Sequence, residues 1–139
     1  PDDYRGSFKK DDPDRAVKFA NLVDGAIERL NLKGIGLSAF IMETFPSVGG
    51  QIIPPKGYLE QVYSKIRKHG GVCIADEVQT GLGRLGDHYF GFEFQEVKPD
   101  IVVLGKPLGN GHPLGAVITT KKIGESFDNG IEFFSTFKI

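Results

Sequence analysis

Two apolar runs in this chain each end in an ionisable residue close to glycine. Val72-Cys73-Ile74-Ala75 runs into Asp76-Glu77-Val78-Gln79-Thr80-Gly81, and Ile101-Val102-Val103-Leu104 runs into Gly105-Lys106-Pro107-Leu108-Gly109-Asn110-Gly111-His112-Pro113. Short, continuous apolar runs predict strands buried in an open α/β sheet, and such sheets bind ligands beyond the carboxyl ends of their strands. Asp76 and Lys106 are therefore expected at two such ends. A carboxylate and an amine converging there suit an aromatic aldehyde cofactor. The amine forms a Schiff base with the aldehyde, and the acid pairs with the ring nitrogen.

Other readings of these residues stand beside that one. Asp76-Glu77 after an apolar run is most often a strand-ending acid that caps the next turn. It also resembles the magnesium-holding pair of a nucleotide hydrolase. That reading needs a phosphate loop of the form G-x-x-x-x-G-K-[ST], and the sequence has none. As a ring-nitrogen partner, Asp76 would stay ionised because a pyridinium compensates its charge. Most lysines are solvated surface residues, but Lys106 directly follows a buried-type strand and a glycine. Desolvation there would favour the neutral amine that attacks a carbonyl. Gln79 can donate to a ring hydroxyl, and the β-branched Val78 can press on a ring face; each is otherwise loop packing. Glu43 reads as a supporting hydrogen-bonding group, and His112 as a turn residue. His69 and His88 are too scattered for a metal site. Ser135-Thr136 supply hydroxyls for an anion such as phosphate.

The elements that must position these groups follow from periodicity. Asp14 is placed to cap a helix running to about Leu30, with Ala16, Phe19, Ala20, Val23, Ile27 and Leu30 on one face. A strand is expected over 37–42 and a helix over 56–68, led by Pro55, with Tyr58, Leu59, Val62 and Ile66 inward. Strands 72–75 and 101–104 follow. This strand–helix–strand alternation predicts a parallel, doubly wound α/β sheet. The connection 105–115 is broken by Pro107, Gly109, Gly111 and Pro113 and leaves no room for a crossover helix. Run 116–118 is therefore expected antiparallel, followed by a short helix over 121–127.

Composition narrows the class. The chain has 139 residues, 40% of them hydrophobic, and a net charge of -1, so a single domain with a modest core is expected. That balance gives no electrostatic reason for a nucleic-acid or membrane partner. Pro1-Asp2-Asp3-Tyr4-Arg5 lacks the apolar core of a secretory signal. The lone Cys73 sits in an apolar strand, where packing is the expected role; a single cysteine fits a reducing compartment, cytoplasmic or mitochondrial. The bare edges that so few strands would leave suggest a fragment of a larger domain.

Four ordered segments carry a family resemblance. Ile74-Ala75-Asp76-Glu77-Val78-Gln79-Thr80-Gly81-Leu82-Gly83-Arg84 resembles the signature of class III aminotransferases, fold-type I enzymes that use pyridoxal 5'-phosphate. Gly49-Gly50-Gln51-Ile52-Ile53-Pro54-Pro55-Lys56-Gly57-Tyr58, the Lys106 segment and Phe134-Ser135-Thr136-Phe137 match in the expected order. The resemblance implies part of a three-layer large domain, mostly parallel with one antiparallel strand. On it, residues 1–139 are a central fragment of that domain, with its remainder and the small domain absent, and inactive alone. Asp76 would bind the pyridine nitrogen, with Val78 on the ring and Gln79 near its 3-hydroxyl. Lys106 would form the aldimine and shuttle protons, and Glu43 would lie near the cofactor. Thr136 would reach the cofactor phosphate of the partner subunit in a homodimer. The substrates would be an amine or amino acid and a 2-oxo acid. Two departures stand out. Val48 occupies the place of the glutamate that gates a substrate-binding arginine, and Lys138-Ile139 replaces a Gly-Gly-Asn-Pro continuation. The wording of two segments is nearest to the phospho-lyase branch, which eliminates phosphate from phosphorylated amines with the same cofactor.

Overall fold

The computed structural model describes residues 1–128 and 130. Helix α1 spans Arg15–Leu32, and its buried residues Phe19, Ala20 and Ile27 fall on the face expected from their spacing. Asp14 precedes it but caps nothing with its side chain. Its φ of -93° and ψ of 6° lie outside the extended region that a capping residue needs. Helix α2, Tyr58–Lys68, starts later than expected because Gly57 takes a left-handed φ of 85°. It buries Tyr58, Leu59, Val62, Tyr63 and Ile66. Each fully buried aliphatic side chain of this kind contributes about 1.5–3 kcal/mol, so α2 is held by its apolar stripe. The Lys65–Asp24 ion pair, 2.7 Å across the α1–α2 rim, adds little beside it.

The sheet runs β1 (Ala39–Glu43), β2 (Val72–Asp76), β3 (Ile101–Leu104) and β4 (Ala116–Thr119), in spatial order β1-β2-β3-β4. The first three strands are parallel and β4 is antiparallel to β3, as the short 105–115 connection requires. Glu43 pairs with Asp76, and Asp76 with Val103, so the carboxyl ends of β1, β2 and β3 lie level. Helix α4, Lys121–Phe127, follows β4. Helix α3, Gly91–Phe94, is one turn that its aromatic-rich sequence did not announce.

Both parallel crossovers step the same way across the sheet, and right-handed crossovers stepping one way lie on one face. Accordingly Phe19, Ile27, Leu59, Val62 and Ile66 form one cluster with Cys73, with Phe40 and Met42 packed against it. The described residues supply the sheet and this one helical layer. On the opposite face Ile41 and Val117 are exposed. No helix among the described residues is long and apolar enough to cross a membrane.

Candidate active site

Side chains alternate across a strand. Cys73 and Ala75 face the helices and are fully buried, so Asp76 emerges on the other face and Glu77 returns to the core side. The adjacent carboxylates thereby acquire different surroundings. Asp76 Oδ1 accepts from the Val78 N–H at 3.0 Å, and among the described residues no hydrogen bond engages Oδ2. Glu77 is 1% exposed and fully committed. It accepts from Thr44 Oγ1 at 2.6 Å, Thr80 Oγ1 at 2.7 Å, and the Gly91 and Phe92 N–H groups at 2.8 Å each. An Asp-Glu pair that holds a metal and its water needs both carboxylates free to reach them, and here Glu77 is buried with four donors on its two oxygens. Among the described residues no group of three or more His, Cys, Asp or Glu is placed to hold a metal.

Beyond β3, Gly105 is extended and Lys106 opens a 3₁₀ turn, Lys106–Gly109, with a φ of 38°. The Leu108 N–H closes that turn onto the Gly105 carbonyl at 3.0 Å. Lys106 Nζ donates to Gln79 Oε1 at 2.5 Å. A Cβ on Gly105 would lie 3.3 Å from Val78 Cγ1, so any larger residue would push Val78 back from the backbone leading to Lys106. The structure thus brings Val78, Gln79 and Lys106 together, with Asp76 at the adjacent strand end. Lys106 is exposed on this 3₁₀ turn, and the described residues do not by themselves supply the desolvating surroundings expected there.

The remaining expected residues fall as follows. Glu43 accepts from Ser47 N–H at 3.1 Å and Ser47 Oγ at 2.9 Å, which anchors the loop after β1. Val48 is 93% exposed on that loop. His112 is exposed, and its N–H closes a turn onto Gly109. His69 Nδ1 lies 2.8 Å from the Lys65 carbonyl oxygen, and His88 sits edge-on to Phe94. Thr136 lies outside the described residues. A cleft of about 480 Å³ opens beside Gln79, walled by Phe45, Ile52, Leu85 and Arg84. A larger one, about 580 Å³, lies between the N-terminal segment and residues 50–56, and no strand-end residue lines it. The role of Glu77 escaped the sequence reading. Its signal was the alternation of β2, which sends consecutive acids to opposite faces.

The family profile of Aminotransferase class-III matches residues 7–138. This chain belongs to the class III aminotransferase family. It is similar to the alanine–glyoxylate aminotransferase 2-like protein of Drosophila melanogaster, 48% identical over 99% of this chain and 28% of that protein. Among solved structures it resembles a phospholyase from Arthrobacter in complex with phosphoethanolamine. That match has a TM-score of 0.87 and 40% identity, over 99% of this chain and 32% of the other. It also resembles the taurine:2-oxoglutarate aminotransferase of Bifidobacterium kashiwanohense in complex with PLP and glutamate. There the TM-score is 0.81 and the identity 29%, over 94% of this chain and 29% of that one. The class III chain thus spans about a third or less of the length of these relatives.

Proposed function

We propose that this chain is the central part of the large domain of a pyridoxal 5'-phosphate-dependent aminotransferase, which moves an amino group from an amine or amino acid to a 2-oxo acid. The observation that carries the reading is the Lys106–Gln79 hydrogen bond beside an Asp76 whose Oδ2 is unengaged among the described residues. This donor set fits the cofactor. Lys106 would hold it covalently, Asp76 Oδ2 would accept from its ring nitrogen, Val78 would press on its face and Gln79 would contact its hydroxyl. When bound, the cofactor supplies an electron sink for charge developing at the substrate α-carbon. The chain's own work is then division of labour. Asp76 holds a proton on the ring nitrogen, and Lys106 Nζ takes the α-proton and returns it. Thr136 is proposed to reach the cofactor phosphate held by the other subunit of a homodimer.

The test is borohydride reduction of the intact, cofactor-loaded protein followed by peptide mapping. Label on Lys106 supports the reading; label on another lysine overturns it. Phosphate elimination from a phosphorylated amine is the second reading, favoured by the 0.87 TM-score to the phosphoethanolamine-bound phospholyase. Release of inorganic phosphate without amino transfer to a 2-oxo acid would select it. Both readings use the same Asp76 and Lys106.

A further inference from the structure

Glu77 is a buried carboxylate to which the proposed chemistry gives no part, yet it joins three segments around the site. Its backbone is pinned to β3, with its N–H on the Val103 carbonyl at 2.9 Å and its carbonyl accepting from Gly81 N–H at 2.9 Å. Its side chain then reaches Thr44 beyond β1, Thr80 in its own loop, and the start of α3 at Gly91 and Phe92. Each oxygen takes one hydroxyl and one backbone N–H. Oε1 serves Thr44 and Phe92; Oε2 serves Thr80 and Gly91. The two N–H groups can only donate, so the site requires an acceptor at both oxygens. A glutamine, however it flips, turns an amino group against one of those N–H groups. Nor is there room to rearrange: a Cβ on Gly91 would lie 3.0 Å from Thr80 Oγ1 and 3.1 Å from Glu77 Oε2.

Asp76, Val78 and Gln79 are Glu77's chain neighbours, so whatever holds Glu77 fixes where they meet the Lys106 turn. We propose that Glu77 is a positioning residue for the cofactor: it locks residues 76–79 against β3, so that the Asp76 carboxylate and the Gln79 amide are held in place before the cofactor arrives. The inference rests on the reading above and deepens it. A purely structural role would lower stability without selectively changing cofactor binding.

The experiment compares wild type, Glu77→Gln, Glu77→Asp and the core control Leu59→Ala in the intact protein. It measures the dissociation constant for pyridoxal phosphate, the pH midpoint of the bound cofactor's absorption change, and amide exchange at Gly91 and Phe92 without cofactor. Glu77→Gln is expected to weaken binding about tenfold or more, the scale set by small misplacements of positioning groups. It should also move the absorption midpoint and speed exchange at the two amides, with Glu77→Asp between it and wild type. Leu59→Ala should lower the melting temperature and leave the dissociation constant within about twofold, the scatter of independent sites. An unchanged constant in Glu77→Gln, or an equal rise in Leu59→Ala, overturns the proposal. Should Glu77→Gln fail to fold, Thr44→Val combined with Thr80→Val keeps the two N–H contacts. That pair is expected to weaken binding by about threefold or more, and no change in it is equally fatal. Borohydride labelling of wild type separates the two ideas. Label on Lys106 with an unmoved constant in Glu77→Gln removes this inference alone, whereas label elsewhere removes the cofactor reading with it.

Discussion

Asp76 and Glu77 are chemically near-identical neighbours whose fates differ because a strand sends them to opposite faces. Asp76→Asn keeps Oδ1, and with it the acceptor for Val78 N–H at 3.0 Å, but removes the charge that would hold a proton on the ring nitrogen. Steady-state kinetics should show kcat falling by about 100-fold or more while the melting temperature stays put. Lys106 carries a different signature. Its φ of 38° is unfavourable for a lysine, and asparagine tolerates that region better. Lys106→Asn should therefore abolish turnover yet raise the urea midpoint of the cofactor-free protein, by roughly 0.5–1 kcal/mol of stability. A lower midpoint would show that the turn is unstrained. Cys73 is inert by burial, which pushes its thiol from 9.0 up to about 11. The unfolded chain releases this proton first. Its stabilising contribution is thus full below pH 9 and lost as pH rises to about 11, and Cys73→Ala should flatten urea midpoints measured across that window. At this scale the placement of Asp76, Val78, Gln79 and Lys106 just beyond two strand ends was legible, because two apolar runs lead directly into them. The work of Glu77 was not, since its donors Thr44, Gly91 and Phe92 come from segments that only the fold brings together.

Elements with a strong periodic stripe were readable; those shaped by distant partners were less so. Strand β3 and helix α4 fall where the apolar run and the polar break place them. Helix α3 was missed because one turn has no period to detect, and what holds it is non-local. Gln95, just past its end, is 1% exposed and reaches the start of α2. Its Nε2 donates to the Pro54 carbonyl at 3.0 Å, and its Oε1 accepts from the Leu59 N–H at 3.4 Å. That N–H is one of the unpaired donors that every helix start leaves. Gln95→Leu has nearly the same volume and strands both groups, so it should cost about 1–3 kcal/mol in equilibrium denaturation. Because α3 also presents Gly91 and Phe92 to Glu77, the same variant should accelerate amide exchange at those two residues.

Among the described residues the sheet is covered on one side only. The topology was legible because parallel strands need crossovers and residues 105–115 cannot hold one, which forces β4 antiparallel. What the sequence left open was how the two faces are covered. Strand alternation puts Ile41, Ile74 and Ile101 in mutual register on the face away from α1 and α2, with Val103 and its partner Val117 on the same face two residues along. Ile41 is 62% exposed and Val117 67%. Contiguous apolar surface of this kind drives association when nothing covers it, and among the described residues β1 and β4 are also open edges. Residues 1–139 expressed by themselves should therefore self-associate with rising concentration in sedimentation velocity. Ile41→Lys with Val117→Lys should suppress that association, because a charge on the face must be desolvated to stack it. Lysine substitutions at Leu22 and Leu32, exposed apolar residues on the helical side, should leave it unchanged. Equal suppression by both pairs would mean that net charge, and not the uncovered sheet face, controls assembly.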